Sequence, residues 1–302
     1  MASEALPSSG SLEKPVGRAR SGVAKGPRGY KRANGVPAPA VARWSLRIVV
    51  FVYLLFLLLI PVGLVFKRAF EHGASAVWDA LTTDAALHAL QVTAETAGIA
   101  VVCNTIFGVG AAILLVRHTF FGKRLLNALI DLSIAVSPVV VGLSLILIYG
   151  RFEPVGRWLD GQGLQIIFAL PGMVLATIFV SLPLVVRAVA PVLEEIGADQ
   201  EQAAYTLGAS PFQAFWRITL PAIRWALAYG VVLSLARALG EFGAVAVVSG
   251  NIEGSTQTLT LFVQDHFQNF DAVGAYSAAF LLALIAIVAL VVISLLRPKE
   301  SK

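Results

Sequence analysis

Residues 46–66 read LRIVVFVYLLFLLLIPVGLVF, a run whose one charge, Arg47, stands at its edge. A helix rises ~1.5 Å per residue, so about 20 apolar residues are needed to cross a ~30 Å hydrocarbon layer. Further blocks of this kind follow at 89–116, 126–149, 164–186, 222–249 and 273–296. Of the 302 residues, 57% are hydrophobic and 14% charged, where soluble domains average roughly 45–50% and about 25%. The fold class predicted is all-α, a polytopic membrane protein with six transmembrane helices. A signal peptide is not expected at 46–66, which is too long for an h-region and lies behind a long hydrophilic stretch. Cys103 is the single cysteine, which excludes an intrachain disulfide and any multi-cysteine metal site.

The charge is unevenly placed. Before residue 45, Lys14, Arg18, Arg20, Lys25, Arg28, Lys31, Arg32 and Arg43 stand against Glu4 and Glu13, so this segment is +6 where the whole chain is +5. Its Pro, Gly and Ser content and its lack of apolar periodicity predict a disordered tail over 1–44. A polybasic stretch just ahead of a membrane helix suits an anionic cytoplasmic leaflet, and nucleic acid is not needed to explain it. The same acid-poor, Arg-rich composition also fits a transit peptide, which would place the protein in a plastid envelope instead of a bacterial inner membrane. Six spans put both termini on one side. That side holds eighteen Lys and Arg against Lys67, Arg68, Arg151 and Arg157 on the other, and positive charge favours the cytoplasm. Both termini are therefore expected there, the last six residues, 297–302, forming a short C-terminal end. Pro138 and Pro183 fall within spans, where each removes a backbone donor and predicts a kink, although prolines are frequent in membrane helices generally.

The longest loop on the expected cytoplasmic side, 187–221, reads as two short helices. The first, about 194–207, has Gly208 just past its end, where a left-handed closing residue costs glycine little. The second opens at Ser210-Pro211, a capping hydroxyl followed by proline at the first helical position, and runs to Pro221. Within it Phe212, Phe215 and Trp216 are spaced i, i+3, i+4, which predicts one aromatic face. The alternative is that these rings pack back on the chain's own spans.

The pattern Gln202-Ala203-Ala204, three residues, Gly208, nine residues, Ile218-Thr219-Leu220-Pro221 resembles the EAA loop of ABC-importer permeases, Glu-Ala-Ala-x3-Gly-x9-Ile-x-Leu-Pro. Gln202 stands where that pattern has glutamate, with Glu201 beside it. Downstream, Ala236-Arg237-Ala238-Leu239-Gly240-Glu241-Phe242-Gly243, Val248-Ser249-Gly250 and Gly254-x-Thr256-x-Thr258-Leu259 resemble the W-type permeases of sulfate/thiosulfate importers, and the Gly-Glu-Phe-Gly part is shared with molybdate permeases. The resemblance covers the chain after the basic tail. It implies a type I ABC-importer permease fold over 45–296. It also implies a homologous T-type permease, two ATPase subunits that bind ATP and Mg, and a periplasmic or extracellular sulfate-binding protein as partners. Glu201, Gln202, Ala203, Ala204, Gly208, Phe212, Phe215, Trp216, Ile218, Leu220 and Pro221 would form the ATPase-coupling loop. The chain has no Gly-x4-Gly-Lys-[Ser/Thr] phosphate-cradling loop, so no enzymatic activity and no cofactor are expected in it. A molybdate or tungstate permease is the alternative substrate reading. A stand-alone secondary transporter or channel is the alternative class.

Arg237 and Glu241 lie i, i+4 in the fifth block, close enough to pair. Ionisable groups at membrane depth cost at least ~2.5–3.5 kcal/mol and need a partner, a cavity or a subunit seam. These two, with Gly240, Phe242 and Gly243, are candidate pathway or subunit-interface residues, the glycines allowing another helix to approach closely. Asp131 is expected near the inner end of its span, where snorkelling reaches water. His72, His88, His118 and His266 lack ligand spacing, and a metal site is not expected. The outer stretch 250–271 carries Glu253, Asp265 and Asp271 but no Lys or Arg. Such a loop would not gather anions, which fits capture by a separate binding protein. Ser255, Thr256, Thr258 and Thr260 could offer neutral hydroxyl donors to a desolvated oxyanion.

Overall fold

The structure is a computed structural model that describes residues 40–296; most of the expected basic tail and the stretch 297–302 lie outside the described residues. Two units divide the chain at Leu54 and Leu55. Of the first, the described part is α1 (Ala40–Leu54). From Ile48 to Leu54 it is uninterruptedly apolar, as hydrocarbon permits, and the Arg47 guanidinium lies 5.6 Å from the Trp44 ring centroid.

The second unit opens with a wide π-helical turn, Leu55–Leu59, and α2 (Ile60–Ala69). Then come α3 (Ala74–Leu81), α4 (Asp84–Arg117), α5 (Lys123–Ala135), α6 (Pro138–Tyr149), α7 (Pro154–Gly161) and α8 (Leu170–Ile196). The remainder is α9 (Asp199–Thr206), α10 (Pro211–Ala214), a second π turn at Phe215–Thr219, α11 (Leu220–Leu239), α12 (Gly243–Val248), α13 (Leu259–Gln268) and α14 (Ala272–Leu296). No strand occurs among the described residues.

Among the described residues five stretches are long and apolar enough to cross a membrane: Trp44–Ala69, Asp84–Arg117, Leu170–Ile196, Pro211–Leu239 and Ala272–Leu295. A sixth arises if α5 and α6, bent by 114° at their junction, are counted as one. The block at 126–149 is therefore two helices set at a sharp angle, not one kinked helix. Pro138 supplies no N–H, and Val136 and Ser137 are extended, as residues before proline prefer. The block at 222–249 breaks too, because α11 stops at Leu239 and the chain turns through Gly240 before α12. The two breaks meet: a Cβ on Gly243 would lie 3.2 Å from the Pro138 Cβ.

Helix α8 is the centre of this unit, packing against α4, α5, α6, α11 and α12. Small side chains set the spacing, as expected where no hydrophobic effect drives helices together. A Cβ on Gly108 of α4 would stand 2.7 Å from the Val185 Cβ, so the backbones are in near contact. Buried Asn104 adds a hydrogen bond from Nδ2 to Ser181 Oγ at 2.8 Å, a bond type worth about 0.6 kcal/mol between membrane helices. The stretch 250–271 is more than a loop. It contains α13, whose Leu259 and Phe262 are buried against α4 and α14.

Candidate functional site

The loop at 187–221 is shorter than expected. Arg187 and residues 194–196 belong to α8, which Gly197 (φ +69°) ends, and α9 spans only Asp199–Thr206. Gly208 adopts φ +85°, with nothing within 4 Å of where a Cβ would stand. Ser210 then forms a reciprocal capping box: its Oγ accepts from Gln213 N–H while Gln213 Oε1 accepts from Ser210 N–H.

Pro221 does not end the second helix. Residues 211–239 form one continuous rod. The missing Pro221 N–H is absorbed by the π turn just before it, where Leu220 N–H donates to Phe215 O five residues back, a wider ring that restores a partner. The same device precedes Pro61 at Leu55–Leu59. The segment 211–219 is thus continuous with a span.

Phe212 is 71% exposed and Trp216 52%, with ring centroids 5.9 Å apart, while half-buried Phe215 meets the Trp216 ring edge-on at 5.6 Å and packs against the α4–α8 cluster. The three rings are contiguous as expected, the outer two exposed; in α9 and just after it Tyr205 is also exposed, and Leu207 is 88% exposed. Ile218 and Leu220 are half-buried, and Gln202 and Ala203 are exposed.

Glu201, not Gln202, carries the architecture. Its Oε2 lies 3.0 Å from Arg117 Nε, its Oε1 accepts from Arg117 Nη2 at 3.2 Å and from Thr219 Oγ1 at 2.8 Å. Arg117 also donates to Leu193 O at 3.0 Å and Gly197 O at 2.6 Å. The two side chains are only 13% and 14% exposed, so both carboxylate oxygens and three guanidinium nitrogens are matched out of bulk water. One ion pair ties the ends of α4 and α8 to α9 and to the π turn that leads into α11. In the sequence Arg117 is one of the eighteen Lys and Arg that set the orientation, with nothing local to mark it as a tie beyond its place at the last turn of a 34-residue helix. Beside the pair lies an open cavity of about 650 Å³ lined by Arg117, His118, Gln202, Tyr205 and Phe215.

At the second break, Arg237 Nη1 lies 2.7 Å from Glu241 Oε2, the arginine 39% exposed and the glutamate 2%. Glu241 Oε1 accepts from Ala244 N–H at 3.0 Å, and the Glu241 carbonyl accepts from Thr260 Oγ1 at 2.9 Å. The pair therefore bridges the turn at Gly240 instead of lying along one helix. Phe242 and Gly240 are exposed and Gly243 half-buried. Thr256 and Thr258 are buried and internally engaged: Thr256 Oγ1 donates to Ser249 O at 2.6 Å, and the Thr258 and Thr260 hydroxyls share a 3.0 Å hydrogen bond. Only Ser255 of that group is exposed. Nearby, burial works against the charge of Asp271, but the Gly274 N–H and His266 outweigh it and hold the carboxyl below its usual range. Among the described residues no three His, Cys, Asp or Glu side chains come together as a metal site would need.

Residues 104–302 match the family described as binding-protein-dependent transport system inner membrane components. The chain belongs to that family. This permease is 49% identical over 247 residues to the sulfate transport system permease protein CysW of a Synechocystis species, covering 82% of this chain and 90% of that one. It is 45% identical over 271 residues to the chloroplastic sulfate permease 2 of Chlamydomonas reinhardtii, covering 89% of this chain and 73% of that one. Among solved structures, a bacterial ABC transporter involved in the import of the polysaccharide alginate superposes with a TM-score of 0.68 at 16% identity, over 85% of this permease and 93% of that chain. The fold is that of an ABC-importer permease.

Proposed function

We propose that this permease is one of two homologous membrane subunits of an ATP-driven importer of sulfate and thiosulfate, set in a bacterial inner membrane with both termini in the cytoplasm. The substrate reading is carried by likeness to sulfate permeases along most of the chain. A T-type permease completes the pore, a binding protein delivers the anion outside, and two ATPase subunits hold ATP and Mg. In this reading Tyr205, Leu207, Phe212 and Trp216 enter a groove of the ATPase, since exposed aromatic anchors dominate interface energies. Arg117 and Glu201 then convert movement of the loop into movement of α4, α8 and α11 together. This chain's part is mechanical and steric.

Uptake of labelled sulfate by cells lacking their own system should require this permease, the T-type permease, the ATPase and the binding protein together, with thiosulfate competing. If molybdate competes at far lower concentration than either, the substrate is molybdate. If this chain alone suffices, it is not an importer subunit.

Gly208 tests the docking. With open space around a Cβ, alanine there meets only left-handed strain of about 1–2 kcal/mol, and asparagine meets less. Gly208→Asn should therefore transport nearly normally and Gly208→Ala somewhat less, while Gly208→Asp, equally tolerant of the backbone but charged, should fail in uptake and ATPase pull-down. Full coupling by the aspartate variant would move the contact elsewhere.

A further inference from the structure

Between Gly172 and Ala190, in the most enclosed part of α8, a single residue is exposed, and it is Arg187. Its Nε donates to Asp131 Oδ1 at 3.0 Å and its Nη2 to Asn127 Oδ1 at 3.0 Å, with a second, shorter contact from Nη2 to Asp131 Oδ1. Asn127 Nδ2 in turn donates to Asp131 Oδ2 at 3.4 Å. The arginine and aspartate side chains remain 42% and 49% exposed. Arg187 lies six residues before Leu193, where Arg117 marks the loop end of the helices, so the cluster is ~9 Å deeper into the span.

Half-exposed charged and amide groups on a span avoid hydrocarbon; they face water at its end, another subunit or a water-filled passage. Two features favour the passage. Nη1 of Arg187 makes no hydrogen bond with the described residues, leaving donors of a planar fork free, the geometry that suits a tetrahedral oxyanion. Asp131 neutralises the arginine, and a conducting site must hold an ion weakly enough to release it. We propose that Arg187, set by Asp131 and Asn127, is a contact for a tetrahedral oxyanion on the translocation pathway, one step before release at the loop end. This rests on the sulfate reading above.

The test uses the whole complex. Arg187→Gln with Asp131→Asn removes both charges while keeping polar shapes, so the assembled complex should stay within about twofold of the unaltered one while labelled sulfate uptake falls at least tenfold. Uptake above half of normal, or loss of assembly in the double variant, would make the cluster a structural tie and overturn the proposal. Independently, Arg187→Cys in a Cys103→Ala background should react with an anionic, membrane-impermeant thiosulfonate, and sulfate should slow the reaction. A thiol unreactive both with and without nucleotide excludes a watered pathway there. If the unaltered complex imports molybdate but not sulfate while position 187 still labels, the substrate reading fails and the pathway contact stands.

Discussion

Glu201→Ala is expected to leave the permease in the membrane and to reduce sulfate uptake by the assembled importer at least tenfold. The carboxylate meets Arg117 at 3.0 and 3.2 Å and Thr219 at 2.8 Å in a site where both charged side chains are under 15% exposed. Breaking a buried pair by removing one partner costs ~3–5 kcal/mol, because the other charge is left uncompensated. Here Arg117 keeps the Leu193 and Gly197 carbonyls, so the lower end applies. About 3 kcal/mol is roughly a hundredfold in the population of the docked loop, at 1.36 kcal/mol per factor of ten. Limited proteolysis of the variant should cut between Gly197 and Ser210, where the unaltered loop resists. Arg117→Ala should behave alike, and the two changes together should cost little more than either alone. Unchanged uptake in Glu201→Ala would mean that force reaches the spans by another route.

The Arg237 and Glu241 pair should respond asymmetrically. Arg237→Ala leaves a carboxylate of 2% exposure without its counter-charge, a loss toward the lower part of ~3–5 kcal/mol since Arg237 itself is partly solvated. The amount of assembled complex should fall severalfold. Glu241→Gln should be milder: an amide oxygen still accepts from Ala244 N–H, and the half-exposed arginine can reach water. Combining Arg237→Met with Glu241→Gln should restore assembly above Arg237→Ala. Sulfate uptake by the restored complex then reads the role. Retained uptake marks a brace across the Gly240 turn, and lost uptake marks a group the anion needs. Additive losses of assembly would show that the two side chains are uncoupled.

Length, apolar blocks and the spacing from Gln202 to Pro221 determined the helical membrane class and the family, because span length and loop chemistry are local properties. Gly208 and Ser210-Pro211 were legible for the same reason: a left-handed φ and a capping box are set within a few residues. Hydropathy could not show that two of the blocks break, since an averaging window of about 19 residues submerges Val136-Ser137-Pro138 and Gly240-Glu241-Phe242 in their apolar flanks, and breaking depends on the two breaks packing together. Nor could helical spacing show which of the three rings turns inward, because that depends on the α4–α8 cluster Phe215 packs against. Arg117 with Glu201 lie 84 positions apart and Arg187 with Asp131 lie 56 apart. Only the packing of α4, α5 and α9 around α8 brings those charges together, and a charge's cost and use are decided by what it meets there.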